Sequence, residues 1–150
     1  MTMRLRVRAN GGAAVALIVL VAWWLWPGAP MDARGLTAAI HQFLRFEEGT
    51  RQTAELRDKG LAIPDASTAL AWKARWDSID ALRIEPVEAR RCRNPVPARR
   101  NRCVIARAKI AASPALAASQ PWRYFRIRPL LDGSYLVLGE TAAWAWHVRI

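Results

Sequence analysis

The run Trp122-Arg-Tyr-Phe-Arg-Ile-Arg-Pro-Leu130, followed by Leu131-Asp-Gly-Ser134 and Tyr135-Leu-Val-Leu138, decides the fold class. Phe125 and Ile127 alternate with Arg126 and Arg128, the period of two of a strand with one covered and one wet face. Asp132-Gly133 between two apolar runs reads as a hairpin turn, since glycine accepts the backbone angles a tight turn needs. A second alternation lies upstream: Val104, Ala106, Ala108, Ile110 and Ala112 face one way, Arg107 and Lys109 the other. Leu82, Ile84 and Pro86 begin a further strand, and because Pro86 has no N–H this strand is expected at an edge or with a bulge. Gly139 is expected to mark a bulge or a turn. Ala142, Trp144, Trp146, Val148 and Ile150 alternate as a last strand running to the C-terminus.

Ahead of the strands the period is helical. Leu36, Ala39, Ile40, Phe43 and Leu44 form an amphipathic stripe behind a capping Asp32,. Gly49 is expected to end or bend this helix, and Gly60 to stop the polar stretch after it. Asp65 caps a shorter helix through Trp72 and Trp76. A helix followed by four or five antiparallel strands in meander order is an α+β layout, with the helix laid across one sheet face. The outline is similar to cystatin-like and NTF2-like architectures. That similarity is one of element order, and it also occurs in periplasmic domains of single-span secretion-system components.

The N-terminal region is of another kind. Arg4, Arg6 and Arg8 precede an unbroken apolar run from Ala13 to Trp26. Extended back to Ala9, the run covers ~27 Å as a helix, enough for a thin or adapted bilayer. Trp23, Trp24 and Trp26 stand together at its far end, where indoles suit a membrane interface. Neither Ala29 nor Ala33 is preceded by a small residue at the position a signal peptidase reads, so the segment is expected to be a retained anchor. The arginines keep the first residues cytoplasmic. The expected organisation is a cytoplasmic basic tail (1–12), a transmembrane anchor (13–26, the hydrophobic stretch starting at 9 if Ala9 to Gly12 join it), a linker (27–35) and a periplasmic α+β domain (36–150) of an inner-membrane protein. Arginine dominates the cations, with only Lys59, Lys73 and Lys109 as lysines, and alanine is abundant; this composition fits a GC-rich bacterial source. A basic leader ending at Gly12 before an apolar helix also resembles type IV pilin and pseudopilin precursors. Two departures stand out: Leu17 occupies the place of the family's usual Glu, and Ala13 would be the first mature residue.

The chain has 150 residues and a net charge of +11. Cys92 and Cys103 flank expected strands, and in an oxidising compartment they are expected to close a hairpin as a disulfide. Arg90, Arg91, Arg93, Arg99, Arg100 and Arg102 crowd the same hairpin, and guanidinium groups match phosphate and carboxylate bidentately. Anionic lipid or an acidic protein surface is therefore a candidate partner. Nucleic acid is not expected as a partner, because the domain is exported; Arg123, Arg126 and Arg128 among Trp122, Tyr124 and Phe125 read as one core face and one solvent face. The tryptophans, Trp144 and Trp146 among them, read as large core residues. No metal or cofactor is expected, since two cysteines and the separated His41 and His147 form no ligand set. Glu47-Glu48, Asp77 with Asp80, and the scattered serines stage no acid–base or nucleophilic chemistry, so no enzyme is expected. The function expected is that of a scaffold or assembly subunit of a cell-envelope complex, of secretion or pilus type, acting with the membrane and other envelope proteins. The alternatives are a periplasmic binding or toxin-neutralising module that uses the arginine hairpin, and a pseudopilin-like subunit.

Overall fold

The computed structural model describes residues 15–21, 31–92 and 103–147. The chain divides into two compact units, Met1–Pro30 and Met31–Ile150. In the first, residues 15–21 are helical with exposed side chains. Half of the expected anchor, residues 13–14 and 22–26 with Trp23, Trp24 and Trp26 among them, lies outside the described residues. Among the described residues no helix is long and apolar enough to cross a membrane.

The second unit is α+β: helix α1 (Ala33–Asp58), helix α2 (Ala66–Asp80), strands β1 (Arg83–Arg91) and β2 (Val104–Ala111), the one-turn helix α3 (Pro114–Ala117), strands β3 (Arg123–Pro129) and β4 (Tyr135–Thr141), and the one-turn helix α4 (Trp144–His147). The four strands form one antiparallel sheet in the order β1-β2-β3-β4. Asp32 caps α1 by accepting from the backbone N–H groups of Arg34 and Gly35, so the helix starts inside the stretch expected as linker. Asp65 caps α2 through the Thr68 N–H. At the far end of α1, Gly60 takes φ +65° and its N–H donates to the Arg57 carbonyl while that of Leu61 donates to Leu56. This reciprocal pair satisfies the last carbonyls, and the left-handed residue between them is one that glycine adopts without a Cβ penalty.

Helix α1 does not end at Gly49. Its buried row runs Leu36, Ile40, Leu44, Glu48, Gln52, one residue per turn straight through the glycine. The first half of that row lies on the sheet, where it meets Ile84, Val104, Ala106, Ala108, Phe125 and Ile127 in one core. Phe43 meets Phe125 edge to face at 6.2 Å, a geometry aromatic quadrupoles favour. The second half passes beyond the sheet and packs on α2.

Strand β1 is both an edge strand and a bulged one. Ile84 pairs with Ile110 and Val87 with Ala108, so Glu85 and Pro86 together face Lys109. The missing N–H of Pro86 thus falls where no ladder bond is required. The β3–β4 hairpin forms at the expected turn, with Ser134 N–H donating to the Asp132 carboxylate and Leu130 N–H to the Ser134 carbonyl. Leu138 is the extra residue of a second bulge, beside Gly139.

The expected last strand is not formed in the described residues; Trp144 to His147 make a helical turn instead. The alternation of Trp144 and Trp146 misled because the chain leaves β4 and turns back to β2, where the Trp146 ring stacks on Arg90 and Arg107. Nor do the tryptophans fill the core. Trp72, Trp76, Trp122 and Trp146 are half-buried and Trp144 is exposed. Trp72 and Trp76 lie on the seam between α1 and α2, where each indole N–H finds an acceptor, and Trp122 and Trp146 lie against arginine side chains.

Gly49 has no backbone need to be glycine, and a Cβ there would meet the Trp76 ring at 4.0 Å, ordinary contact. Gly49→Ala is therefore expected to stabilise the domain by about 0.5–1 kcal/mol through helix propensity. The urea midpoint of unfolding checks it; a lower midpoint would show that the helix does not run unbroken through this position.

Candidate functional site

Two polar assemblies lie outside the core. The first is the seam between α1 and α2. Glu48, nearly fully buried, accepts from Gln52 Nε2 at 2.9 Å and pairs with Arg51 at 2.5 Å. Arg75 Nε also lies 2.9 Å from Glu48, off the line of its N–H, so that contact is coulombic. The two terminal nitrogens of Arg75 donate to the two oxygens of Glu55 at 2.9 and 2.8 Å. Trp72 Nε1 donates to Glu55 as well, and Trp76 Nε1 to Gln52. The Arg75 fork first, and the Trp72 indole second, hold the Glu55 carboxyl down at about 2 from its ordinary 4.5. Arg75 is correspondingly raised, chiefly by its hydrogen bonds to Glu55. Each carboxylate here already has its donors, which describes an interhelical clamp rather than a poised acid or base. His41 is likewise occupied: its Nε2 donates to the Ile79 carbonyl at 3.0 Å, at the end of α2.

The second assembly is the sheet face opposite α1. Register places Glu88, Arg107 and Tyr124 on one cross-strand rung, and Arg90, Ile105 and Arg126 on the next. Arg107 is sandwiched between indoles, its guanidinium carbon 4.3 Å from the Trp122 ring centre and 4.6 Å from that of Trp146. Its Nε and a terminal nitrogen both donate to Glu88. Arg90 lies on Trp146 at 4.4 Å, and Lys109 on Trp122 at 5.5 Å. The result is a ladder, Lys109–Trp122–Arg107–Trp146–Arg90, flanked by Tyr124 at 6.4 Å from Trp146. Each stacked cation contributes about 0.5–2 kcal/mol according to its desolvation. One Nη of Arg90 is buried with no acceptor among the described residues, so the indole face is what receives it. Arg126 and Arg128 on β3 extend this basic face into solvent.

Cys92 and Cys103 form a disulfide across the β1–β2 hairpin, with Cα atoms 5.3 Å apart and the Cys92 N–H donating to the Cys103 carbonyl. Of the expected anionic-contact arginines, Arg90 joins the indole ladder and Arg91 is half-buried beside the disulfide. Arg93, Arg99, Arg100 and Arg102 lie outside the described residues. An open groove of about 710 Å³ runs between α1 and the edge of β1, floored by Leu82, Ile84 and Val87 and walled by Arg34, His41, Arg45 and Glu85. Pro86 and its bulge interrupt the free edge there, which disfavours strand addition. Among the described residues no group of three or more His, Cys, Asp or Glu side chains is arranged to hold a metal.

Sequence reasoning missed both assemblies. Glu48 and Gln52 continue the four-residue spacing of the helix stripe, so the seam was signalled by position though not by residue type. The indole ladder had no such signal, since it depends on cross-strand register and on the C-terminal turn. No family model matches the chain, and no match is found among curated proteins or solved structures. The cystatin- and NTF2-like outline therefore rests on element order alone.

Two outcomes follow from this chemistry. Because Glu55 is held at about 2 in the folded chain against 4.5 ordinarily, its contribution to stability is complete above about pH 4.5 and is lost as pH falls toward 2. Glu55→Gln should flatten the fall in urea midpoint across that window; an unchanged acid profile would remove Glu55 from the clamp. Cys92→Ser with Cys103→Ser, opening a loop of separation 11, should cost roughly 2–3 kcal/mol, read as a lower midpoint with the α+β circular dichroism retained.

Proposed function

We propose that the chain is a single-pass inner-membrane protein whose periplasmic domain serves as an assembly subunit of a cell-envelope complex. In this reading residues 1–12 are cytoplasmic, 13–26 span the lipid and the domain after them is exported. The disulfide between Cys92 and Cys103 carries the reading, because such a bond persists in an oxidising compartment and not in a reduced cytosol,. The basic residues Arg4, Arg6 and Arg8 ahead of the apolar run support the same orientation,. The polar seam supports a scaffold role, since its acids and cations neutralise one another and stiffen the domain.

A second reading, a periplasmic binding module for an anionic partner, is favoured by the basic outer sheet face and the arginines between the cysteines. The two separate by charge reversal. Arg99→Glu with Arg100→Glu should abolish capture of an anionic partner by a binding module and leave a scaffold's complex intact. A pseudopilin-like subunit would instead lose its first 12 residues, which mass measurement of the mature chain reads directly.

The test of the main proposal uses the full chain in intact cells. Alkylation under denaturing, non-reducing conditions should leave both cysteines unmodified, a reporter fused after Ile150 should be periplasmic, and mild detergent should extract the chain with partners. Free thiols or a cytosolic reporter overturn the compartment, and a chain that migrates alone overturns the assembly role.

A further inference from the structure

The sheet face turned away from α1 is where the domain's charge is left unbalanced. All 12 side-chain carboxylates of the sequence fall among the described residues, so each acid can be placed. Four lie on α1 and two on α2, and Asp32 and Asp65 cap those helices. Glu85 lines the groove beside α1 at the β1 edge. Glu140 pairs in register with the buried Phe125 and forms an ion pair with Arg123. Asp132 is held in the β3–β4 turn by Ser134 and stays charged there. Glu88 alone stands on the outer face, and Arg107 already bonds it. Against that one carboxylate the face carries Arg90, Arg107, Lys109, Arg126 and Arg128.

These cations are not alike. Lys109 donates to the Ala118 carbonyl and lies on Trp122, Arg107 sits between two rings, and Arg90 lies on Trp146. Arg126 and Arg128 are exposed and have neither an acid nor a ring among the described residues. They stand two residues apart on β3, so their side chains leave the strand about 6.8 Å from each other. Leu136, paired in register with Arg128, and Leu138 flank them, each 47% exposed.

We infer that Arg126 and Arg128 are the docking point for an extended acidic segment of a partner protein: carboxylates two residues apart in that segment pair with the two guanidinium groups, and a neighbouring apolar side chain covers Leu136. The inference rests on the second reading above, a module for an anionic partner, and names the partner's chemistry. Charge complementarity selects an anion. The spacing selects an extended chain, since alternate side chains of a strand repeat at the same interval. The guanidinium fork suits carboxylate, and exposed leucines beside arginines are the make-up of a protein interface. Single-stranded nucleic acid fits less well, because the indole faces on which bases would stack are already taken by cations. A lipid-binding face would present those indoles, which here are covered. The charged Asp132 limits the site at the turn, so the partner's acids meet the arginines along β3.

The test uses the full chain in phosphatidylcholine nanodiscs and a fluorescein-labelled peptide in which glutamate alternates with serine before a leucine. Anisotropy reads the affinity. A peptide of equal charge with its glutamates three apart, on opposite sides of an extended chain, should bind several-fold more weakly; equal binding overturns the extended register. Arg126→Glu with Arg128→Glu should lower affinity by about tenfold or more, with the circular dichroism unchanged. Arg57→Glu with Arg83→Glu makes the same change in net charge away from this face, and an equal loss there overturns the site. Leu136→Ser should weaken binding several-fold, and unchanged affinity overturns the apolar contact. Loss with Arg99→Glu and Arg100→Glu but not at 126 and 128 overturns this site and leaves the anionic-partner reading standing. No binding of either peptide overturns both. Equal competition by oligothymidylate assigns the face to nucleic acid, and loss of peptide binding when phosphatidylglycerol enters the nanodisc assigns it to lipid; either overturns the protein partner.

Discussion

Helix α1 is longer than the sheet it must cover, and most of the domain's organisation follows from that mismatch. One buried row runs its length, from Leu36 through Ile40 and Leu44 to Glu48 and Gln52. Over the sheet the row is apolar and joins Phe125, Ile127 and Val104 in a dry core. Beyond the sheet nothing flat remains to bury against, and the row turns polar. A buried carboxylate there is tolerated only with partners, and α2 brings them: Arg75 between Glu48 and Glu55, with the indoles of Trp72 and Trp76 donating alongside. Apolar packing and the ion-pair clamp are thus two halves of one helix face.

Among the described residues the opposite sheet face has no long helix over it, and the one-turn helices α3 and α4 contact β2. It is finished by stacking cations on indoles instead of by a second hydrophobic layer. Arg107 is fixed by Glu88 on one side and by two rings on its faces. A guanidinium suits this place because it is planar and weakly hydrated, so it stacks while still donating in its own plane. This arrangement orders the face without neutralising it, and Arg126 and Arg128 remain outward. The disulfide, the β3–β4 turn with its exposed Leu130 and Leu131, and the start of α1 gather at one end of this sheet.

Much of this was legible in the residues. The strands around Phe125 and Ile127, the Asp132-Gly133 turn, both aspartate caps, the edge position and bulge implied by Pro86, and the cysteine pair all rest on local stereochemistry or on period, and each formed. Gly49 and the C-terminal segment went the other way. A glycine weakens a helix by only about 1 kcal/mol, less than the packing on its two flanks supplies, so the helix continues. The alternation of Trp144 and Trp146 is a strand pattern overridden by tertiary contacts, as the segment turns back and Trp146 stacks on Arg90 and Arg107. The indole ladder combines residues from β1, β2, the approach to β3 and the last turn, and no spacing in the chain brings these together.

What the sequence determined alone was whatever a residue decides with its near neighbours: where helices start, which strand face is apolar, where the chain must turn, which strand cannot be central. What only the tertiary structure decided was which polar groups meet. Charge pairing and ring stacking act over a few ångströms between residues far apart in the chain, so their partners exist only after register and helix crossing are set. Glu55 and Arg75 are 20 positions apart, and Asp32 and Tyr135 are 103 apart. The interactions that close the domain at both ends are of that kind.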